Sequence, residues 1–254
     1  MKLSPLELEQ FRRNGYLVFR NMLTPEARER MLAVVHEQLR TAEPPIEYEA
    51  EVGYPGAPAS LDAPGGRTVR RLRGAYHRHE RFRAWAEDLR IVTCLKQIFD
   101  EPVRLVLAHH NCVMTKHPQY GTATGWHRDI RYWSFARNDL VTVWLALGRE
   151  TASNGALRVI PGSHRLSIGR HQLDDLDFLR PDIAENQALF AQGMTVELES
   201  GDVLFFHSGL FHAAGRNESD TVKVSVAFAY RGDSNLPGEG SRSAAAGDVA
   251  VSKN

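Results

Sequence analysis

The hydrophobic and polar positions change their rhythm once along this chain. Up to about residue 100 the apolar residues recur at helical spacing. Ser4, Pro5 and Glu7 together make an N-terminal capping signal, and Asn14-Gly15 makes a stop, so the first helix spans the residues between. "YLVF" (16–19) reads as a short strand. Thr24-Pro25 repeats the start signal for a helix running to about Arg40. Residues 43–66 are rich in Pro, Gly and Ala and predict a long loop, of the kind that often serves as a lid or binding loop. Residues 67–76 are basic and predict a strand, and "HERFRAWAEDLRIVTCLKQIF" (79–99) has helical spacing.

From residue 103 the pattern shortens. "VRLVLAHHNCVMTK", "LVTVWLAL", "ALRVI", "MTVEL", "DVLFFH" and "VKVSVAFAY" are β-rich runs separated by turn signals such as "SNG", "PGSH" and "ESGD". Many short strands with regular breaks predict a mainly β fold with flanking α-helices, a sandwich or double-sheet barrel of the jelly-roll kind. The polar segment 169–192 interrupts the series as loop with some helix. The tail 232–254 is small and polar and is expected to be mobile, above all in its last dozen residues. No repeat is evident, so the expectation is one domain over 1–254: helices in 1–100, a β core in 101–231, then the tail.

Composition narrows the function classes. The 254 residues carry 31 basic and 31 acidic side chains, and this zero net charge argues against nucleic acid as a partner. No uncharged apolar run is long enough for a membrane span. The start, "MKLSPLELEQFRRNG", has charges where a signal peptide is apolar, and the end, "VSKN", is not the peroxisomal "SKL" address. Cys94 and Cys112 are too few for a disulfide framework and lack metal-site spacing. These features lead to the expectation of a cytoplasmic enzyme acting on a small molecule.

The candidate chemistry lies in "TGWHRDIRYW" (124–133). On a strand, His127 and Asp129 would send an imidazole and a carboxylate into the same space. "SGDVLFFHSGLFHAAGRN" (200–217) adds His207 and His212 after a buried-looking strand. Two His and one carboxylate form the facial triad of non-haem Fe(II) oxygenases, which leaves three positions for a bidentate keto acid and dioxygen. Lys223 and Ser225 fall on one face of the next strand, where a cation and a hydroxyl can grip a carboxylate. A solvated edge lysine is the simpler reading of Lys223 from spacing alone. His36, His77, His79, His117 and His171 sit in charged or loop surroundings and are expected at the surface, with His164 in a turn.

"GWHRD", "VTVWLAL", "NGALRVIPGSHR", "GDVLFFHSGLFHAAGRN" and, near the N-terminus, "FRRNGYLVFRNMLTPEARERM" resemble the phytanoyl-CoA dioxygenase family of Fe(II)/2-oxoglutarate oxygenases over roughly residues 8–231. The resemblance implies a double-stranded β-helix with flanking helices. It implies His127, Asp129 and His212 as iron ligands, with His212 preferred because the family's distal ligand is the His of "H-x-x-G-x-N", and His207 left to packing or support. The family's Arg eleven residues after that His, which binds the far carboxylate of 2-oxoglutarate, is Lys223 here. A point charge thus replaces a planar fork, with Ser225 beside it and Arg216 as a substitute donor. Trp144 and Lys116 match family positions beside the cosubstrate. Halogenating relatives lack the carboxylate that Asp129 supplies, so hydroxylation is the expected outcome.

The implied substrate is a small organic molecule with an unactivated C–H, of lipid or acyl, amino-acid or natural-product type. Trp126, Tyr132 and Trp133 flank the first two ligands, and "RTVRRLRG" (67–74) could face an acidic substrate, although a charge run is more often a solvated face. Desaturation, ring closure or epimerisation on the same cofactors, and a non-catalytic jelly-roll binding protein, are the alternatives. A zinc hydrolase fits less well, since the chain has no HExxH.

Overall fold

Helix α1 (Pro5–Asn14) starts where its capping signal lies: the Ser4 hydroxyl accepts from the Glu7 N–H, and the Glu7 carboxylate accepts from the Ser4 N–H. Gly15, left-handed at φ 79°, ends it and leads into β1 (Tyr16–Phe19). The structure, a computed structural model, describes residues 1–251. Helix α2 (Pro25–Thr41) is capped by Thr24 and buries Met31 and Val35. The expected long loop contains strand β2 (Ile46–Tyr48) and a 3-10 turn that buries Glu49 completely. β3 (Val69–Arg73) follows. A short α3 (Ala75–Arg78) comes next, and the helix expected over 79–99 is broken into α4 (Glu80–Ala86) and α5 (Leu89–Phe99). The breaks have local causes: His79 is extended and its ring accepts from the Arg81 N–H, and the Asp88 carboxylate accepts from the Arg90 N–H. Side chains that cap a new helix compete with continuation of the old one.

The remaining elements are β4 (Val103–Lys116), β5 (Thr124–His127), β6 (Leu140–Ala146), β7 (Leu157–Val159), α6 (Ala184–Phe190), β8 (Met194–Thr195), β9 (Val203–His207), β10 (His212–Ala214), β11 (Lys223–Gly232), α7 (Arg242–Ala246) and β12 (Asp248–Ala250). An eight-stranded sheet has the order β1-β9-β6-β11-β4-β3-β2 with β12 also on β4, and a four-stranded sheet has the order β5-β10-β7-β8. Their pairings are antiparallel. With helices packed on the large sheet, the architecture is mixed α/β rather than mainly β, and the strand pairing closes no barrel among the described residues. No helix among them is long and apolar enough to cross a membrane.

Strand alternation divides the interior. Val141, Val143, Leu145, Val203, Phe205, Val226, Phe228 and Tyr230 join Phe82, Trp85, Ile91 and Leu95 of the helices in one cluster. Trp144, Ala146, Leu204, Phe206 and Ala227, the residues between them, join Leu157 and Val159 of the small sheet in another. Period-two geometry makes this division unavoidable. It also determines which way Lys223 and Ser225 point, because they share the parity of Ala227 and face the small sheet. β4 departs from regularity once. Asn111 pairs with Phe228 but Val106 pairs with Ala229, so residues 107–110 bulge out, with His109 at φ 60°.

The tail is not the loose extension that its composition suggests. β3 pairs with residues 112–114 of β4, which leaves the other half of that edge open, and β12 pairs with residues 104–106 there. The Asp248 carboxylate receives Arg104 Nε at 2.6 Å and Arg231 Nε at 3.1 Å, and the Arg231 side chain is buried. Val251 is buried as well, and residues 252–254, the last of the stretch expected to be mobile, lie outside the described residues. Replacing Asp248 with Ala removes the carboxylate while Arg231 keeps its bonds to the Gly232 and Asp233 carbonyls. The expected loss of stability is about 1–2 kcal/mol, discounted for partial exposure, and urea unfolding measures it.

Candidate metal centre and its pocket

The small sheet sets His127 and His212 opposite each other, since β5 and β10 pair with these two residues in register. Their ring centroids are 4.2 Å apart. β5 ends at His127, and Asp129 opens a 3-10 turn instead of continuing the strand. Arg128 remains extended (φ −111°, ψ 139°), so the alternation still carries Asp129 to the side of His127. Asp129 is completely buried, with Oδ1 3.3 Å from His212 Nε2 and 3.7 Å from His127 Nε2. Among the described residues these three form the one cluster whose donor atoms all lie within 4.8 Å of one another.

The outer atoms of the triad are held. His127 Nδ1 donates to the Gly125 carbonyl at 2.9 Å and His212 Nδ1 to the Leu210 carbonyl at 3.1 Å, an assignment that leaves both Nε2 lone pairs facing Asp129. Asp129 Oδ2 receives the Thr142 hydroxyl at 3.3 Å, and that hydroxyl in turn accepts from His110 Nδ1 at 3.3 Å, whose ring nitrogen lies 3.2 Å from Oδ2. Asp129 Oδ1 has no hydrogen-bond partner. Burial, and after it the neighbouring His212, hold His127 well below the usual imidazole range, so it is neutral. Burial opposes ionisation of Asp129, but His110 and His212 outweigh it and hold the carboxyl well below its usual range. Burial likewise opposes a proton on His212, and the Asp129 carboxylate raises it nonetheless.

A buried carboxylate oxygen without a donor is costly unless a cation completes it. Donor atoms bound at about 2.1 Å and at right angles lie about 3 Å apart, close to the spacings seen here. The residues therefore fit a divalent ion, and two imidazoles with one carboxylate suit Fe(II).

The other end of the pocket is cationic. Lys116, Lys223, Arg70 and Arg71 line it together with Trp144 and the triad. Arg70 pairs with Glu49 at 3.1 Å and Arg71 with Glu47 at 3.1 Å, so part of the basic run 67–74 is buried and paired rather than solvated. Lys223 Nζ donates to Glu150 Oε2 at 3.0 Å, and Glu150 Oε1 receives the Ser225 hydroxyl at 2.5 Å and Trp144 Nε1 at 2.9 Å. Lys116 Nζ donates to the Thr122 and Gly215 carbonyls. Burial first, then Lys223 and Arg70, push Lys116 down to about 7.

Other candidates stand away from this centre. His207 accepts from the Gly209 N–H and its ring lies 5.1 Å from that of His164. Arg216 is exposed and reaches the Gly56 carbonyl, so it is not a donor to the pocket. Trp133 is buried with its N–H on the Ala108 carbonyl, and Trp126 stacks on Phe190; of the three aromatics only Tyr132 lines the pocket. The structure adds His110, Thr142 and Glu150. His110 had a visible neighbour in the doubled "HH" of β4, but only the bulge aims it. Glu150 lies 73 residues from Lys223, and nothing in the sequence links them.

The profile of the phytanoyl-CoA dioxygenase (PhyH) family matches residues 11–225. A probable phytanoyl-CoA dioxygenase of Caenorhabditis elegans is 27% identical over 161 residues, covering 56% of this chain and 48% of that protein. The peroxisomal phytanoyl-CoA dioxygenase of Homo sapiens is 26% identical over 242 residues, covering 87% of this chain and 67% of that one. The chain thus spans about half the length of the nematode relative and about two thirds of the human one. The crystal structure of the non-heme alpha ketoglutarate dependent carbocyclase SnoK from nogalamycin biosynthesis superposes with a TM-score of 0.73 at 20% identity, covering 94% of this chain and 88% of that one. The cytoplasmic placement expected above does not stand, because the mammalian relatives are peroxisomal proteins. Two unpaired, buried cysteines argue against a disulfide framework but choose no compartment.

His110→Ala removes the imidazole that holds the Thr142 hydroxyl and lies 3.2 Å from Asp129 Oδ2, without touching a metal-facing atom. Loss of such support is expected to weaken Fe(II) binding by about 10–100-fold, read by anaerobic metal titration.

Proposed function

Because this chain belongs to the phytanoyl-CoA dioxygenase family, we propose that it is an Fe(II)- and 2-oxoglutarate-dependent dioxygenase that hydroxylates an unactivated C–H of a small organic molecule. The observation that carries this reading is Asp129 Oδ1, buried, without a donor, and set between two imidazole nitrogens. The two antiparallel sheets are read as the halves of a double-stranded β-helix, and the chain as one oxygenase domain.

When bound, ferrous iron with 2-oxoglutarate and dioxygen supplies the oxidation: the oxo acid becomes succinate and carbon dioxide, and one oxygen atom enters the substrate C–H. The protein's part is to hold and to exclude. His127 and His212 present Nε2, and their carbonyl partners keep the protons on Nδ1. His110 and Thr142 fix Asp129 Oδ2, so that Oδ1 faces inward. Phe206, Leu157 and Trp144 wall the pocket with apolar surface and keep water from the reacting atoms. Tyr132, its hydroxyl 3.0 Å from that of Tyr54, keeps its proton, since burial raises it far above the usual phenol range. Tyr132 and Arg71 also line a wider groove shared with Tyr54, His109 and Arg131, and this is the side from which the target carbon approaches. Lipid or acyl, amino-acid and natural-product substrates all contain the required bond.

Ring closure or epimerisation is the second reading, favoured by the likeness of fold to the carbocyclase. Product mass separates the outcomes: hydroxylation adds an oxygen, ring closure removes two hydrogens, and epimerisation changes nothing. Asp129→Ala is expected to reduce 2-oxoglutarate-dependent succinate formation to background and to lose the weak visible charge-transfer band of the anaerobic Fe(II)–oxo-acid chelate. Wild-type coupling of oxo-acid decarboxylation to substrate oxidation in that variant would overturn the reading.

A further inference from the structure

Glu150 sits where a carboxylate from outside was expected. Lys223 and Ser225 form a cation–hydroxyl pair suited to gripping a carboxylate, and the structure shows them gripping one that belongs to the chain. Both oxygens of Glu150 are engaged, one by Lys223 at 3.0 Å and the other by Ser225 and Trp144, and the residue is completely buried. A buried ion pair of this kind is hard to open, because separating it strands both charges. An incoming carboxylate would have to displace Glu150 or share its donors at the cost of like-charge repulsion.

Lys116 is the remaining cation. It lies directly opposite Lys223 across the β4–β11 pair, so two ammonium groups face one side of the sheet at neighbouring positions. Like charges placed so are unfavourable unless anions balance them. Glu150 balances one. Arg70 and Arg71 have Glu49 and Glu47. Among the described residues Lys116 has no ion pair; its two carbonyl partners leave one of its three N–H donors free. Burial, and after it Lys223 and Arg70, lower Lys116 to about 7, and Glu49 and Glu150 offset this only in part. With Lys116 protonated, the cationic end of the pocket holds two lysines against one carboxylate and is short by a single negative charge.

We infer that Glu150 is a specificity-determining residue: it occupies the Lys223–Ser225 seat and leaves Lys116 as the group that receives the far carboxylate of the oxo acid. This rests on the dioxygenase reading above. Lys223 then acts through Glu150 as a positioning residue, and the pairing of a lysine with an internal glutamate replaces the arginine that the family places at this position. The far end accepts one carboxylate and no more.

The test is an anaerobic titration of the Fe(II)-loaded protein with 2-oxoglutarate and, separately, with 2-oxobutyrate, which has the same chelating head and no far carboxylate. The readout is the dissociation constant from the charge-transfer band. Lys116→Met is expected to weaken 2-oxoglutarate by about tenfold or more, the value of a hydrogen bond to a charged group, and to leave 2-oxobutyrate unchanged. Glu150→Gln retains an amide for Trp144 and Ser225 and frees Lys223. It is expected to tighten 2-oxoglutarate by about tenfold and to leave 2-oxobutyrate unchanged. Weaker or unaltered 2-oxoglutarate binding in Glu150→Gln, or equal loss of both acids in Lys116→Met, overturns the inference. Absence of the band with either acid in the wild-type protein overturns the dioxygenase reading itself, which is a different result.

Discussion

The centre of this protein depends on one unsatisfied atom. A carboxylate oxygen buried without a donor is among the more expensive features that a fold can carry, and Asp129 Oδ1 is such an atom. Its sister oxygen has the Thr142 hydroxyl as donor, so within this carboxylate the deficit falls on the oxygen that faces the two imidazoles. The two imidazoles beside it spend their Nδ1 protons on backbone carbonyls and turn Nε2 inward. Lone pairs and an anion converging on one point are mutually unfavourable until a cation arrives. The rest of the structure can be read as the means of keeping them there.

Those means are largely backbone geometry. The register between β5 and β10 puts His127 opposite His212. The extended conformation of Arg128 carries Asp129 to the same side, although the strand has ended. The bulge in β4 turns His110 onto the carboxylate, and strand parity places Trp144, Lys223 and Ser225 between the sheets rather than under the helices. Apolar residues of the opposite parity, among them Phe205, Phe228 and Tyr230, bind the same strands to the helical layer. Misregister by one residue would exchange the two sets. The core therefore stabilises the fold and also determines which side chains reach the pocket.

Much of this was legible beforehand, and the reasons differ by residue. Spacing of two and a β-rich context identified His127 and Asp129, because local alternation survives even where the strand stops. The choice of His212 over His207 needed the resemblance, since both lie in one motif; the structure supplies the reason in the β10 register and in the turn of His207 toward His164. The helix breaks at His79 and Asp88 were hidden because apolar periodicity runs through them, while capping acts through a single polar atom. The order of the tail was hidden because it depends on an open edge of β4 and on Asp248 meeting two arginines distant in sequence. Paired burial of Arg70 and Arg71 was hidden likewise: a run of charge shows its composition but not its partners.

Glu150 shows where sequence reading stops. Lysine in place of arginine at position 223 looks like a modest weakening of an anion site, if the position is taken alone. With Glu150 in view, the change belongs to a pair. A guanidinium is a wide planar donor that can serve two acceptors at once, whereas an ammonium is compact and can be enclosed by one carboxylate, a hydroxyl and an aromatic face. Lys223 has Glu150 at 3.0 Å and the Trp144 ring centroid at 5.1 Å, while the Ser225 hydroxyl holds the other oxygen of Glu150. Enclosure neutralises it locally and leaves the charge balance of the pocket to Lys116, on the facing strand. On the inference drawn above, the site keeps the net positive charge that a dicarboxylate requires while moving it from β11 to β4, and a substitution that appears conservative at one position becomes a change in which strand holds the ligand.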